Sequence, residues 1–172
     1  MPLYEIKGFD VKRINEAPIQ KEKLIQKLFE RNSLKLLDFY FLETEYQLSN
    51  SLRIDTIGVD IRMVPCIVEY KKTYSPGLLS QGLSYLSWLL DHKETFEKEV
   101  YKKFPGTIVR WNNVRLIFVC AHFSQYDLDT VKVLPYSIEL VKYTYFENGT
   151  IYIEKFIEDR KKFSETSTQQ IK

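Results

Sequence analysis

Two short runs of this sequence are apolar at almost every position, and they constrain the fold more than any other feature. Residues 65–70 read PCIVEY, and residues 115–120 read RLIFVC. A strand with one face in water alternates apolar and polar residues, whereas a continuous apolar run is typical of a strand buried on both faces. Such strands are expected in the middle of an α/β sandwich, with helices on both sides of the sheet.

Length and composition predict one globular domain. The chain has 172 residues, 44% of them hydrophobic, and a net charge of +2, which is too small to imply or exclude a nucleic-acid partner. We expect a single domain over residues 1–159 and a frayed polar tail over residues 160–172. No apolar run approaches the roughly 20 residues that span a bilayer, and the first residues lack a signal-peptide pattern. Together with two cysteines placed in apolar runs, this predicts a cytoplasmic protein with reduced thiols.

Hydrophobic periodicity predicts the order of the helices and strands. An amphipathic helix is expected within residues 17–32, with Pro18 in its first turn, and one long helix from about Pro76 to Tyr101. Ser124 is placed to cap a short helix. Strands are predicted near 40–48, in a hairpin over 52–71, in the run at 114–123, and in a pair around the turn at 147–149. The predicted fold is α/β, with a central mixed β-sheet flanked by helices.

The hairpin predicted for residues 52–71 brings charged residues next to its apolar run. Glu69 and Lys71 share a face of the second strand, because side chains alternate with a period of two. If the turn is centred on Arg62, residues whose numbers sum to 124 oppose each other, and Asp55 then stands opposite Glu69. The pattern therefore predicts two carboxylates facing each other across an antiparallel pair.

Opposed carboxylates require a positive partner, because like charges facing each other destabilise a sheet, and burial increases the cost. Lys71 is one candidate partner, and a divalent cation is the other. An Asp and a Glu near a backbone carbonyl form the oxygen donor set that Mg²⁺ or Mn²⁺ accepts while keeping bound water. A metal-activated water beside an ammonium group suits attack on a phosphodiester.

Each feature alone has a plainer interpretation. Glu-x-Lys on a strand is commonly a solvated charge alternation, and a lone Asp55 could simply begin a turn. The two features together favour a site, because the strand is apolar on both faces up to Glu69. A zinc site is not favoured, since His92 and His122 lack the spacing of zinc ligands.

These residues resemble the PD-(D/E)xK nuclease superfamily, whose motif is an Asp, a spacer, and then Glu-x-Lys. Asp55 with Glu69-Tyr70-Lys71 matches that motif, and Ile54 replaces the proline of its name. More narrowly, the segments RIDTIGVD, CIVEYKK and LSQGLSYLSWL are similar to the catalytic domain of NucS-type mismatch endonucleases and related RecB-like domains. The likeness covers roughly residues 20–155.

The resemblance implies a restriction-endonuclease-like fold and a Mg²⁺- or Mn²⁺-dependent deoxyribonuclease. Asp55 and Glu69 would bind the metal with the backbone carbonyl of Tyr70, and Lys71 would orient the attacking water. The resemblance gives supporting roles to Gln81 and Tyr85, which match a helix motif of the family, and to Glu22, which matches a glutamate on its first helix. Glu22 would hold a second metal or its water.

The sequence also departs from that family. NucS-type enzymes carry a separate N-terminal domain for dimerisation and DNA binding, which the residues before the first predicted helix are too few to supply. We therefore expect a homodimer, or a partner subunit that supplies DNA recognition, and no membrane association. The alternative is a non-catalytic DNA-binding or assembly subunit of a repair or defence complex with the same fold.

Overall fold

The chain forms an α/β structure around a six-stranded mixed sheet. A computed structural model describes residues 2–48 and 52–157, and the end of the predicted domain and the predicted tail lie outside these ranges. Within them no helix has the length and apolar character needed to cross a membrane. The strands and helices, in chain order, are β1 (Leu3–Lys7), β2 (Asp10–Ile14), α1 (Glu22–Arg31), α2 (Ser33–Leu37), β3 (Phe39–Gln47), β4 (Arg53–Asp60), β5 (Pro65–Lys71), α3 (Leu78–Asp91), α4 (Lys93–Lys103), β6 (Arg115–Cys120), α5 (Gln125–Val133), β7 (Ser137–Tyr145) and β8 (Ile151–Ile157).

The large sheet has the spatial order β3-β4-β5-β6-β7-β8. β3, β4 and β5 pair antiparallel, β5, β6 and β7 pair parallel, and β8 returns antiparallel to β7. The two apolar runs form β5 and β6, which lie at the centre of the sheet as their composition predicts. The carboxyl ends of β5, β6 and β7 meet at one edge, which is where ligands commonly bind in sheets of this type.

Each face of the sheet has its own hydrophobic core. One core packs α1 and α2 against the sheet and includes Ile25, Phe29 and Tyr70. The other packs α3, α4 and α5 against the opposite face and includes Leu86 and Phe118. The prediction of a central mixed sheet flanked by helices is confirmed.

Two predicted helices differ from the observed ones. The first helix begins at Glu22, so that Pro18 lies outside it and not in its first turn. The long helix predicted for 76–101 is two helices, α3 and α4, separated at His92, whose backbone leaves helical geometry. The His92 ring stacks on Trp88 with centroids 3.9 Å apart, and its Nδ1 lies 2.7 Å from the Trp88 carbonyl oxygen. This local contact accompanies the break and had no clear signature in the apolar spacing.

The first residues form a hairpin, β1–β2, that the sequence pattern did not predict. Its register opposes Ile6 to Val11, and both side chains are largely exposed. Phe9 is fully exposed at the tip, beside Gly8 in the left-handed region. The alternation is short and carries no buried face apart from Ile14, which explains why periodicity alone missed it.

Candidate active site

The turn between β4 and β5 sets the register on which the site depends. Asp60 Oδ1 accepts hydrogen bonds from the backbone N–H of Arg62 at 2.8 Å and of Val64 at 3.0 Å. The Asp60 N–H donates to the Val64 carbonyl at 2.8 Å, and Met63 takes a left-handed conformation with φ of 63°. This capped turn is centred near Arg62, as predicted, and aligns β4 with β5 from its first residues.

The register of β4 and β5 places Asp55 opposite Glu69. Backbone pairing runs from Val59–Pro65 to Thr56–Val68, and Asp55 and Glu69 occupy the next position. There the side chains take over the hydrogen bonding: Asp55 N–H donates to Glu69 Oε1 at 3.1 Å, and Tyr70 N–H donates to Asp55 Oδ2 at 3.0 Å. Each carboxylate is thus held by the backbone of the opposite strand, so both are fixed in place.

Burial and mutual repulsion make this carboxylate pair hard to ionise. Glu69 is 1% exposed, and burial, followed by the nearby charge of Asp55, raises its pKa to about 8. Burial also raises the pKa of Asp55, although the hydrogen bond from Tyr70 and the charge of Lys71 oppose that shift. A bound cation would remove the penalty for ionising both groups.

Lys71 reaches the same place from the end of β5. Its Nζ lies 3.4 Å from Glu22 Oε1, and Glu22 Oε2 accepts the backbone N–H of Lys72 at 3.0 Å. Burial alone would lower the pKa of Lys71, but the carboxylates of Glu22, Asp55 and Glu69 raise it above its usual value. Lys71 therefore stays protonated, and Glu22 attaches the start of α1 to the carboxyl end of β5.

Helix α3 covers the carboxylate pair, on the face of the sheet opposite to α1. Its close approach depends on Gly82, because a Cβ there would lie 2.3 Å from the Phe118 ring. Phe118 is the register partner of Glu69 on the neighbouring strand β6. On the same helix, Gln81 Nε2 donates to the Tyr85 hydroxyl at 2.7 Å.

Tyr85 lies within electrostatic reach of the carboxylates. Burial raises the pKa of its hydroxyl, the hydrogen bond from Gln81 opposes the shift, and the charges of Glu69 and Asp55 add to it. The structure therefore brings all six predicted side chains to one region: Asp55, Glu69, Lys71, Glu22, Gln81 and Tyr85. Glu22 contacts Lys71 and the backbone N–H of Lys72, and no hydrogen bond between Glu22 and the carboxylate pair is found among the described residues.

Sequence reasoning found Glu22 on α1 but missed the two polar residues that follow it on the same side of the helix, Gln26 and Glu30. Gln26 is 3% exposed, and its Nε2 donates to the backbone carbonyl of Asp55 at 2.7 Å. Glu30 accepts hydrogen bonds from Gln26 at 3.0 Å and from the buried hydroxyl of Thr56 at 2.6 Å. Glu22, Gln26 and Glu30 are spaced i, i+4, i+8, and this spacing was the available signal, since it places all three on one side of the helix.

A third acidic residue lies near Asp55 on the neighbouring strand β3. Glu45 lies between the positions of β3 that pair with Thr56 and Ile54, and so stands opposite Asp55. Its φ of 53° is left-handed, which is uncommon for glutamate. Burial would raise the pKa of Glu45, but hydrogen bonds and charge from Lys23, with the charge of Arg53, lower it. Lys23 and Arg53 therefore balance the negative charge of Glu45, whereas the pKa of Glu69 stays above its usual value.

The candidate metal donors are two carboxylates and one carbonyl. Within the described ranges, no three His, Cys, Asp or Glu side chains come together as a metal-binding group. Each carboxyl accepts a backbone N–H through one oxygen, Glu69 through Oε1 and Asp55 through Oδ2, and the two carboxyls also make a side-chain hydrogen bond with each other. The carbonyl of Tyr70 leaves its strand on the same side as its N–H, which points to Asp55. This donor set fits a hard cation that keeps several waters.

Comparison with known proteins gives one relevant similarity. A curated protein of Haemophilus influenzae, described as "Uncharacterized protein", is 30% identical over 156 residues, covering 88% of this chain and 51% of the relative. The chain thus spans about half the length of the curated relative that it matches. No protein-family model matches the chain. No solved structure matches it either.

Proposed function

We propose that the protein is a metal-dependent deoxyribonuclease of the PD-(D/E)xK superfamily, with a restriction-endonuclease-like fold. One observation carries the proposal: Asp55 and Glu69 are buried side by side, each held by the opposite strand, with Lys71 next to them. A buried carboxylate pair with a purely structural role would only destabilise the protein. The observed order of a helix, three antiparallel strands and a further helix supports the fold assignment.

The residues of the site fit Mg²⁺ or Mn²⁺. Asp55, Glu69 and the carbonyl of Tyr70 would hold the ion, and the ion would supply a nucleophilic water at neutral pH and charge for the phosphate oxygens. The raised pKa of Glu69 supports the fit, because the nearby charge of Lys71 lowers this pKa but does not bring it back to its usual value.

The other side chains act on the phosphodiester and its water. Lys71, kept protonated by the surrounding carboxylates, would offset negative charge that develops on the phosphate. Glu22 orients Lys71 through its ion pair and fixes the strand end through Lys72. Gln81 and Tyr85 form a hydrogen-bonded pair on α3 that can position the water or a phosphate oxygen.

The proposed partner is DNA. A single domain of this size and near-neutral charge has few phosphate contacts to offer, so we propose that a homodimer or a partner subunit completes DNA recognition. A light-scattering mass equal to one chain, together with efficient duplex cleavage at physiological salt, would contradict this part of the proposal.

The test is cleavage of labelled single-stranded, duplex, flap and mismatched DNA with Mg²⁺, with Mn²⁺ and with EDTA. We expect metal-dependent cleavage that falls at least about a hundredfold in each of Asp55→Ala, Glu69→Ala and Lys71→Ala, because the first two variants lose a ligand of the ion and the third loses the charge that offsets the phosphate. DNA affinity should change little, since phosphate contacts elsewhere dominate binding.

The matched controls are Glu99→Ala and Lys102→Ala, which remove an acid and a base from an exposed ion pair on α4. Both should cut like the wild type. Equal cleavage by the wild type and all three site variants would refute the nuclease assignment. DNA binding without cleavage under every metal condition would instead support a non-catalytic subunit.

A further inference from the structure

A groove of about 730 Å³ opens beside the candidate active site. Its lining combines the ends of β6, β7 and β8 with the chain segment that leads into α1, and includes Ala17, His122, Lys142, Tyr143, Tyr152 and Glu154. It lies where the parallel strands β6 and β7 end, which is the usual ligand position in such sheets. We call it the strand-end groove.

The strand-end groove contains none of the six site side chains in its lining, but it neighbours Lys71 along the same edge of the sheet. Lys71 is paired with Cys120, and Cys120 with Lys142, so that Lys71 and Lys142 lie in one row, two strand spacings apart. The Tyr143 hydroxyl donates to the carbonyl of Lys71 at 3.4 Å. Tyr74, which follows the site lysine, makes an edge contact with the His122 ring at 6.5 Å. These contacts hold the groove next to Lys71, at the carboxyl ends of β5, β6 and β7.

The chemistry of the groove suits a nucleoside better than a bare anion. Lys142 supplies one positive charge, whereas Glu154, its register partner, and Glu16 supply two carboxylates. The rings of His122 and Tyr152 are exposed and available to stack on a base. Carboxylates accept hydrogen bonds from base N–H groups, the imide N–H of thymine included, while a phosphate alone would be repelled by them.

We propose that the strand-end groove binds the nucleoside moiety of the nucleotide next to the reacting phosphate. The proposal rests on the proposed nuclease function, since the phosphate is placed at Lys71. The base stacks on Tyr152 and His122, and the mixed charges of the groove pair with its polar edge. The groove therefore adds a contact that depends on the base, beyond the phosphate contacts at the site.

The test compares two DNA 12-mers of equal charge by calorimetric titration in EDTA, so that cleavage plays no part. One is oligothymidylate, and the other has an abasic analogue at every position. We expect the wild type to bind the oligothymidylate at least about fivefold more tightly, because stacking of one base is lost in the abasic strand. Tyr152→Ala and His122→Ala should each reduce this preference, while their affinity for the abasic strand stays unchanged.

The control is Tyr126→Ala, which removes an exposed tyrosine of α5 that is not part of the groove lining, and it should keep the full preference. Equal affinity of the wild type for both strands, or no binding of either, overturns the proposal. Thymidine 5′-monophosphate that binds as tightly as the 12-mer overturns it too, by showing a site for free nucleotides. If cleavage is never found but the base preference is present and lost in both variants, the groove stands and the nuclease proposal fails.

Discussion

Replacement of Glu69 by Gln tests whether the buried carboxylate pair is arranged for a cation. Glu69→Gln keeps an oxygen for the Asp55 N–H and removes the charge that burial and Asp55 oppose. In metal-free protein we expect this variant to be more stable than the wild type at alkaline pH, because the wild type must then bury an ionised Glu69.

The magnitude follows from the pKa of Glu69. Its pKa rises from 4.5 to about 8 on folding, and one pKa unit corresponds to about 1.4 kcal/mol, so the full cost above pH 8 is at most about 5 kcal/mol. Relaxation and water entry reduce that figure, and about 2 kcal/mol is a reasonable lower bound. The folded state binds more protons than the unfolded state between pH 4.5 and 8. The contribution of Glu69 to the free energy of unfolding is therefore largest below pH 4.5. It falls as the pH rises from 4.5 to 8 and is lost above about pH 8.

The assay is urea denaturation in EDTA from pH 5 to pH 9, followed by the fluorescence of Trp88 and Trp111. The wild type should lose about 2–4 kcal/mol relative to Glu69→Gln between pH 5 and pH 9. Glu99→Gln, which neutralises an acid on α4 outside the site, serves as the control and should follow the wild type. Addition of Mn²⁺ at pH 8 should stabilise the wild type by mass action and have little effect on Glu69→Gln.

Identical pH slopes in the wild type and Glu69→Gln would refute the reasoning, because they would mean that Glu69 ionises freely in the folded protein. The companion variant Asp55→Asn should also raise the melting temperature in EDTA, by an amount consistent with roughly 1 kcal/mol. If Asp55→Asn is destabilised in EDTA and gains as much from Mn²⁺ as the wild type, the paired-carboxylate site is wrong.

Three further predictions concern the packing around the site. Gly82→Ala should lower the free energy of unfolding by about 1–3 kcal/mol, because its Cβ would lie 2.3 Å from Phe118. At an uncrowded helix position the same change would stabilise the protein, so a melting temperature above that of the wild type would contradict this prediction. Gln26→Ala should cost about 1–3 kcal/mol in urea denaturation, since it leaves the Asp55 carbonyl without its donor. Arg115→Ala should cost about 3–5 kcal/mol without altering stabilisation by Mn²⁺, because it leaves the buried carboxylate of Glu139, which makes no contact with the proposed metal ligands, without its partner. A loss below about 1 kcal/mol would contradict this prediction.

Local sequence patterns were sufficient for most of the fold. The apolar runs of β5 and β6 predicted central strands, because only strands covered on both faces can be apolar throughout. Ser124 caps α5 in a capping box with Asp127, as its position predicted. The turn at Arg62 fixed the register, since the short side chain of Asp60 bonds locally to the backbone N–H groups of the turn. These are short-range effects that neighbouring residues determine by themselves.

The sequence pattern was less informative where distant contacts compete with local preference. The break at His92 accompanies the stacking of its ring on Trp88, and the helix pattern continues across it. The first helix begins after Pro18, at Glu22, whose carboxylate contacts Lys71 and the N–H of Lys72, about 50 residues further along the chain. Neither contact has a periodic signature.

The opposition of Asp55 and Glu69 followed from the sequence by itself, because strand alternation and one turn determine which residues face each other. What the tertiary structure alone decided is the environment that gives the pair its chemistry. The burial that raises the pKa of Glu69, the donor from Gln26, the opposed Glu45 and the approach of α3 at Gly82 all come from elements remote in the chain. Desolvation and charge depend on three-dimensional packing, which periodicity along a chain does not encode.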